Sequence, residues 1–425
     1  MKSRLWLLLS FLATAITWFY AANVIGPWNQ YIGKVHDGVI AQMGDLYPRW
    51  VGTRELLLRR CNPYGPEVSH EIQMAFYGHA VDQEYIEPGR KPIDEQRFAY
   101  PVYVVFLMAP TVYADFADVQ RWAPAVLALL AAVSVLICLD LLRWRPQWEE
   151  LTAITLFTIS SPQIVQGLRH QQLTIVVAFL LFAGAWCIGR NYLVTAGMLL
   201  AWSTLKPQMA FFPLCFLLIW VAGNWRMRWR VLAGFLAMLS ALIGAGEWIL
   251  PGWIGYFLAG AAAYRKYFPT TSLLRAVLGE TLGEILGGVL ILVLMFFAWR
   301  NRKATPDSRQ FITIFAAFLM GTILAFPLFT PFNQVMLILP AMLLLRDWKI
   351  LPRFSRLVFI IIVTWPWIVS SVLLLFPPRL DSPNQLPLLP SFLVLFFPLF
   401  LPLLLMTRRN SASQSETGDC AFAET

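Results

Sequence analysis

The residues equipped for chemistry are one aspartate, a scatter of cations and a few amide side chains. Asp45 stands in the run Gly44-Asp45-Leu46-Tyr47-Pro48-Arg49-Trp50. A carboxylate there can cap a helix or take a proton from a hydroxyl. Pro48 favours the first helical position, which puts the cap at Tyr47 and weakens the capping reading. The cations of interest are Arg54, Arg169, His170, Lys206, Arg265 and Lys266. Such groups can hold a phosphate, or simply anchor a helix end among lipid headgroups. His170 can also serve only as a hydrogen-bonding loop residue.

Metal chemistry has no comparable footing. Asp45 is the only acid in its motif, and Glu67, Glu71, Asp82, Glu84 and Glu87 show no metal spacing; they read as a solvated loop face. The five cysteines offer neither a disulfide framework nor a ligand set. No metal and no cofactor is implied.

These residues must be positioned by membrane helices. The chain is 58% hydrophobic and only 13% charged, too little polar surface for a soluble protein of 425 residues. Its apolar residues come in blocks of roughly 18 to 22, the length that crosses a hydrocarbon core. Trp and Tyr crowd the block ends. The net charge of +9 could suggest nucleic acid, but Lys and Arg sit in short clusters between blocks, where they set topology. Nucleic-acid binding is therefore not expected.

Expected spans run over 4–26, 122–142, 151–168, 171–189, 192–205, 208–223, 231–250, 282–299, 310–329, 333–346, 355–376 and 388–406. The apolar run after Lys2 and Arg4 lacks a cleavage site and reads as a retained first helix. Residues 98–116 are apolar enough to span, yet Pro101, Pro110, Asp115 and Asp118 argue for an interfacial or re-entrant piece. With both ends cytoplasmic, Arg143, Arg145, Arg190, Arg226, Arg228, Arg230 and Arg300 all fall inside. Counting 98–116 as a span would flip every later loop against the positive-inside rule. The expected fold is an all-α integral membrane protein of about 12 transmembrane helices. Residues 1–409 form one polytopic domain, 27–121 a long extracytoplasmic loop, and 251–281 a second outer loop. Residues 410–425 form a disordered cytoplasmic tail.

The long loop is expected to carry amphipathic helices. On a helical wheel of 46–60, Leu46, Tyr47, Trp50, Val51, Leu57 and Leu58 share a stripe, with Arg49, Glu55 and Arg60 off it. Arg54 falls within the stripe, where it either snorkels to the headgroups or contacts a phosphate. Asn62-Pro63-Tyr64-Gly65 then stops the helix.

A short cytoplasmic end, one helix, and a long outer loop opening on an Asp before a surface helix resemble the GT-C glycosyltransferase layout. The details resemble glycosyltransferase family 87, the polyprenyl-phosphate-mannose-dependent mannosyltransferases. The matching residues are Asp45 with Tyr47, Asn62-Pro63-Tyr64-Gly65, Tyr100-Pro101 with Pro110, Gln171, and Leu205-Lys206-Pro207-Gln208. The resemblance covers roughly residues 1–225. Two departures stand out: Tyr100-Pro101-Val102 where the family often has Tyr-Pro-Pro, and His170-Gln171 where it has Gly-Gln.

The resemblance implies a hexosyltransferase that moves a sugar, mannose by family, from a polyprenyl-phosphate donor to a glycolipid or glycan acceptor. Transfer would take place at the outer face of a cell inner (plasma) membrane. A single displacement needs one carboxylate as base and inverts the anomeric centre, whereas a retaining double displacement needs two. Asp45 takes the role of base. Lys206, Arg265, Lys266, Arg169 and Arg54 are the candidates for the donor phosphate, and Tyr47, His170, Gln171 and Gln208 for substrate; Gln172, Asn333 and Gln334 could also bind sugar hydroxyls. The rival reading is a transporter or flippase, since about twelve helices with both ends inside also occur there. The halves show no mutual similarity and mid-span charges are scarce. A non-catalytic membrane scaffold is the third reading.

Overall fold

The computed structural model describes residues 2–27, 43–81, 95–267, 272–326 and 330–376, with positions 30, 31, 34 and 40 between. The described residues are helical, with no strand. Helix α1 (Lys2–Tyr20) runs on into a π-helical turn over Ala21–Ile25. Helices α2 (Tyr47–Arg59), α3 (Pro66–Tyr77) and the five-residue α4 (Val104–Met108) follow. Then come α5 (Phe116–Leu141), α6 (Trp148–Ile159), α7 (Pro162–Arg169), α8 (Thr174–Gly189) and α9 (Leu193–Trp202). After these come α10 (Pro207–Ala222), α11 (Trp225–Ile249), α12 (Trp253–Tyr267), α13 (Leu273–Leu278) and α14 (Glu280–Arg300). The last are α15 (Arg309–Ala325), α16 (Ile338–Arg346), preceded by a 3-10 segment over Pro331–Leu337, and α17 (Arg353–Leu375).

Among the described residues, four helices are long and apolar enough to cross a membrane: Arg4–Val24, Phe116–Leu141, Trp225–Ile249 and Glu280–Arg300. The α7–α8 pair makes a fifth if counted as one span, although it bends by 118°. Several other expected crossings are apolar helices of 10–17 residues, so helix length alone yields four or five spans. The expected single span 151–168 is corrected: it breaks at Ser160-Ser161, because Pro162 disfavours helix in the residue before it. The expected span 388–406 and the tail 410–425 lie outside the described residues.

The connections gather into two sets. In one, Arg143 pairs with Asp307 at 2.7 Å and Arg190 with Asp140 at 2.5 Å. There, Arg228 donates to the carbonyls of Trp220, Arg302, Lys303 and Ala304. In the other set, Asp45, His170, Thr204, Lys206 and Asn333 meet. Within 98–116, the Tyr103 hydroxyl reaches this second set through Thr204 at 2.8 Å. Phe98 packs on Tyr64 at 5.0 Å between ring centres, and Phe116 on Tyr47 at 4.8 Å.

Between the ends, packing replaces a hydrophobic driving force that lipid cannot supply. Helices α10 and α15 interlock through rings, with Phe212–Phe318 at 4.4 Å and Trp220–Phe311 at 5.3 Å. Each such pair contributes about 0.5–1.5 kcal/mol. Helices α9 and α11 cross at Gly197 and Gly234, where a Cβ on either glycine would run into the other helix's backbone.

The stripe expected on α2 is also corrected. Glu55 and Leu56 are buried while Leu58 is 42% exposed. The helix turns its buried side to the 98–111 segment, with Phe98 lying against Gly52 and the Trp50 indole N–H donating to the Thr111 carbonyl at 3.1 Å. Burial by protein, rather than by a membrane surface, decides which residues of this helix face inward.

Candidate functional site

Asp45 precedes α2 without capping it. The helix starts at Tyr47 with Leu46 as its cap residue and Pro48 in its first turn. The capping position thus lies one residue before the expected Tyr47. The Asp45 backbone N–H donates to the His170 carbonyl at 2.9 Å, tying the α2 entry to the α7–α8 bend. Gly44 takes φ +69°, a conformation costly for a residue with Cβ, and packs against the Gln171 side chain. Asp45 itself is half-buried.

Lys206 lies between the 3-10 turn Ser203–Leu205 and α10, held out of helical geometry by Pro207. It is buried at 8% exposure. Its ammonium donates to Thr174 Oγ1 at 2.7 Å, and to Gln172 Oε1 and Asn333 Oδ1 at 3.3 Å each. Three donors thus meet three neutral acceptors. Thr174 and Asn333 are themselves 2.9 Å apart, Thr174 donating. The Phe332 ring centre is 5.4 Å from the ammonium. Burial pushes the Lys206 amine down to about 7; the Asp45 carboxylate works in the opposite sense, and Arg49 adds to the fall.

Three interrupted helices converge here. The α7–α8 bend brings Gln172 and Thr174, the break before α10 brings Lys206, and the 3-10 segment before α16 brings Asn333. Interrupted helices free backbone and polar groups, and here the polar side chains satisfy one another. Gln171 sits at the bend with φ 52°, buried, its Oε1 without a partner among the described residues.

The other expected residues are placed differently. Tyr47 packs its ring among Trp50, Phe76 and Phe116. Arg54 is exposed, its guanidinium 5.2 Å from the Trp50 ring centre. Arg169 donates to the Ala21 carbonyl and packs against Gly26, holding the end of the first helix. The His170 ring lies 6.3 Å from that of Phe332. Gln208 is exposed on the first turn of α10. Arg265 and Lys266 fall on α12, and their side chains lie outside the described residues.

Arg49 and Thr174 were not foreseen in the site. Arg49 follows Asp45 by one helical turn, a spacing the sequence displays openly. Thr174 carried no signal, because its role depends on a contact 159 positions away along the chain.

The profile of glycosyltransferase family 87 matches residues 98–331, more than half of the chain. The match includes the α7–α8 bend and Lys206 but begins after Asp45. It also extends beyond residue 225, where the motif resemblance stopped. No curated protein and no solved structure matches the chain.

Proposed function

The chain belongs to glycosyltransferase family 87 and is a membrane glycosyltransferase, and from that premise we propose that it moves a hexose, mannose by family, from a polyprenyl-phosphate donor to a hydroxyl of a glycolipid or glycan. The acceptor oxygen attacks the anomeric carbon and the bond to the phosphate oxygen breaks. The electron pair leaves with the lipid phosphate, the hydroxyl proton passes to Asp45, and the anomeric centre inverts. The observation that carries the reading is Lys206: a buried ammonium bonded, among the described residues, to neutral oxygens alone, within electrostatic reach of Asp45. A buried cation without a counter-ion is costly, and an incoming phosphate supplies one. Gln172 and Asn333 touch that charge, and Gln171 lies at the same bend against Gly44; all three carry groups able to bond sugar hydroxyls. Arg265, Lys266, Arg169 and Arg54 are outer cations for the same lipid headgroup, and His170, Tyr47 and Gln208 remain substrate contacts in this reading. Transfer takes place at the outer face of the inner membrane, with both termini cytoplasmic.

Radiolabelled sugar transfer by purified protein from a synthetic polyprenyl-phosphate donor tests the proposal. Asp45→Asn should lose transfer by about a thousandfold or more while keeping donor binding. Near-normal turnover by that variant removes Asp45 as the base.

A further inference from the structure

We propose that Arg49 is the second cation of the donor site, sharing the lipid phosphate with Lys206; this rests on the donor reading above. Arg49 lies in the first turn of α2, four residues after Asp45, which precedes the helix. Its guanidinium donates back to the Asp45 carbonyl and rests 4.4 Å from the ring centre of Tyr100. Stacking on a ring fixes the plane of a guanidinium while leaving its edge for another partner. Among the described residues the buried Nε of Arg49 has no partner, while the side chain also bonds the Tyr100 hydroxyl.

The charge balance points the same way. Asp45 and Arg49 both act on the ionisation of the Lys206 amine and of the Tyr100 hydroxyl. Two cations stand against one carboxylate in a partly dry region. The excess is one positive charge, the complement of a singly charged phosphodiester. Cleavage of the bond to the anomeric carbon turns that diester into a monoester and adds negative charge to the same oxygens. A planar guanidinium can engage two of those oxygens at once, which one ammonium cannot.

The test uses full-length protein in nanodiscs, with farnesyl phosphate and farnesol as probes at fixed pH. Arg49→Gln should bind farnesyl phosphate about tenfold more weakly and farnesol as wild type does. Arg49→Lys should fall between, and serves alone if the Gln variant does not fold. Arg121→Gln, at an exposed side chain paired with Asp118, is the charge control and should change nothing. Unchanged farnesyl phosphate affinity in both Arg49 variants overturns the assignment, as does an equal loss for both probes. If Lys206→Gln weakens phosphate binding while the Arg49 variants do not, the donor reading survives and this inference falls. If wild type does not distinguish farnesyl phosphate from farnesol, both fall.

Discussion

At the scale of residues, Lys206 makes the sharpest pH prediction. A sugar phosphodiester keeps its single charge across the working range, so any pH dependence of its binding near neutrality belongs to the protein. The anion favours the protonated amine, and burial has brought that amine down to about 7. Donor affinity should therefore be flat below that pH. Above it, affinity should fall about tenfold per pH unit until the raised pKa of the complex is reached. Titration of donor binding from acid to alkaline pH measures this slope. Lys206→Gln should bind weakly at every pH and lose the slope; a slope that persisted in that variant would take Lys206 out of the phosphate site. Gly44 makes a second prediction. At φ +69° and against Gln171, it has no comfortable room for a methyl group. Gly44→Ala should cost about 1 kcal/mol of stability and lower turnover more than donor binding, because it displaces the neighbouring Asp45.

Among elements, the interrupted helices position the site and the uninterrupted ones support it. The residue before Pro162 and the residue before Pro207 are steered out of helix by local sterics; the break at Lys206 is expected from the sequence, whereas the one at Ser161 is overlooked in a run apolar enough to read as one span. What the breaks would be brought against could not be read from the sequence. The supporting end depends on Arg228, whose guanidinium bonds the Trp220 carbonyl at 2.6 Å and that of Arg302 at 2.7 Å. It also stacks 3.8 Å from the Trp220 ring centre. These contacts hold the end of α10 to the connection after α14, far from Asp45. Arg228→Met would strand several carbonyls at once. The expected loss is about 2–4 kcal/mol, read as a lower Tm in detergent, with turnover per folded molecule little changed. A variant with unchanged Tm would show that water replaces those bonds freely.

Taken whole, the molecule separates its charges by end. One end collects Arg143, Arg190, Arg228 and Arg309 with Asp140, Asp307 and Asp347. The opposite end holds Asp45 and Lys206. The proposed topology puts the first of these ends in the cytoplasm, by the positive-inside rule. A cysteine placed by Asp45→Cys, in a chain with its other cysteines replaced, should react with a membrane-impermeant maleimide from the outer side of intact cells. Reaction only after the cytoplasmic side is opened would reverse the topology and the site of transfer with it.

The sequence by itself determined the class of solvent, the main helical blocks, the break before Pro207 and the candidate pair Asp45 and Lys206. These follow from hydropathy, proline sterics and charge in short windows, all of which act between near neighbours. Tertiary structure alone decided that Lys206 bonds Thr174 and Asn333, that Glu55 rather than Leu58 is buried on α2, and that Arg169 closes on the first helix. Each of those outcomes depends on which remote surface arrives opposite a side chain. A helical wheel records direction around one axis and holds no information about what stands across from it.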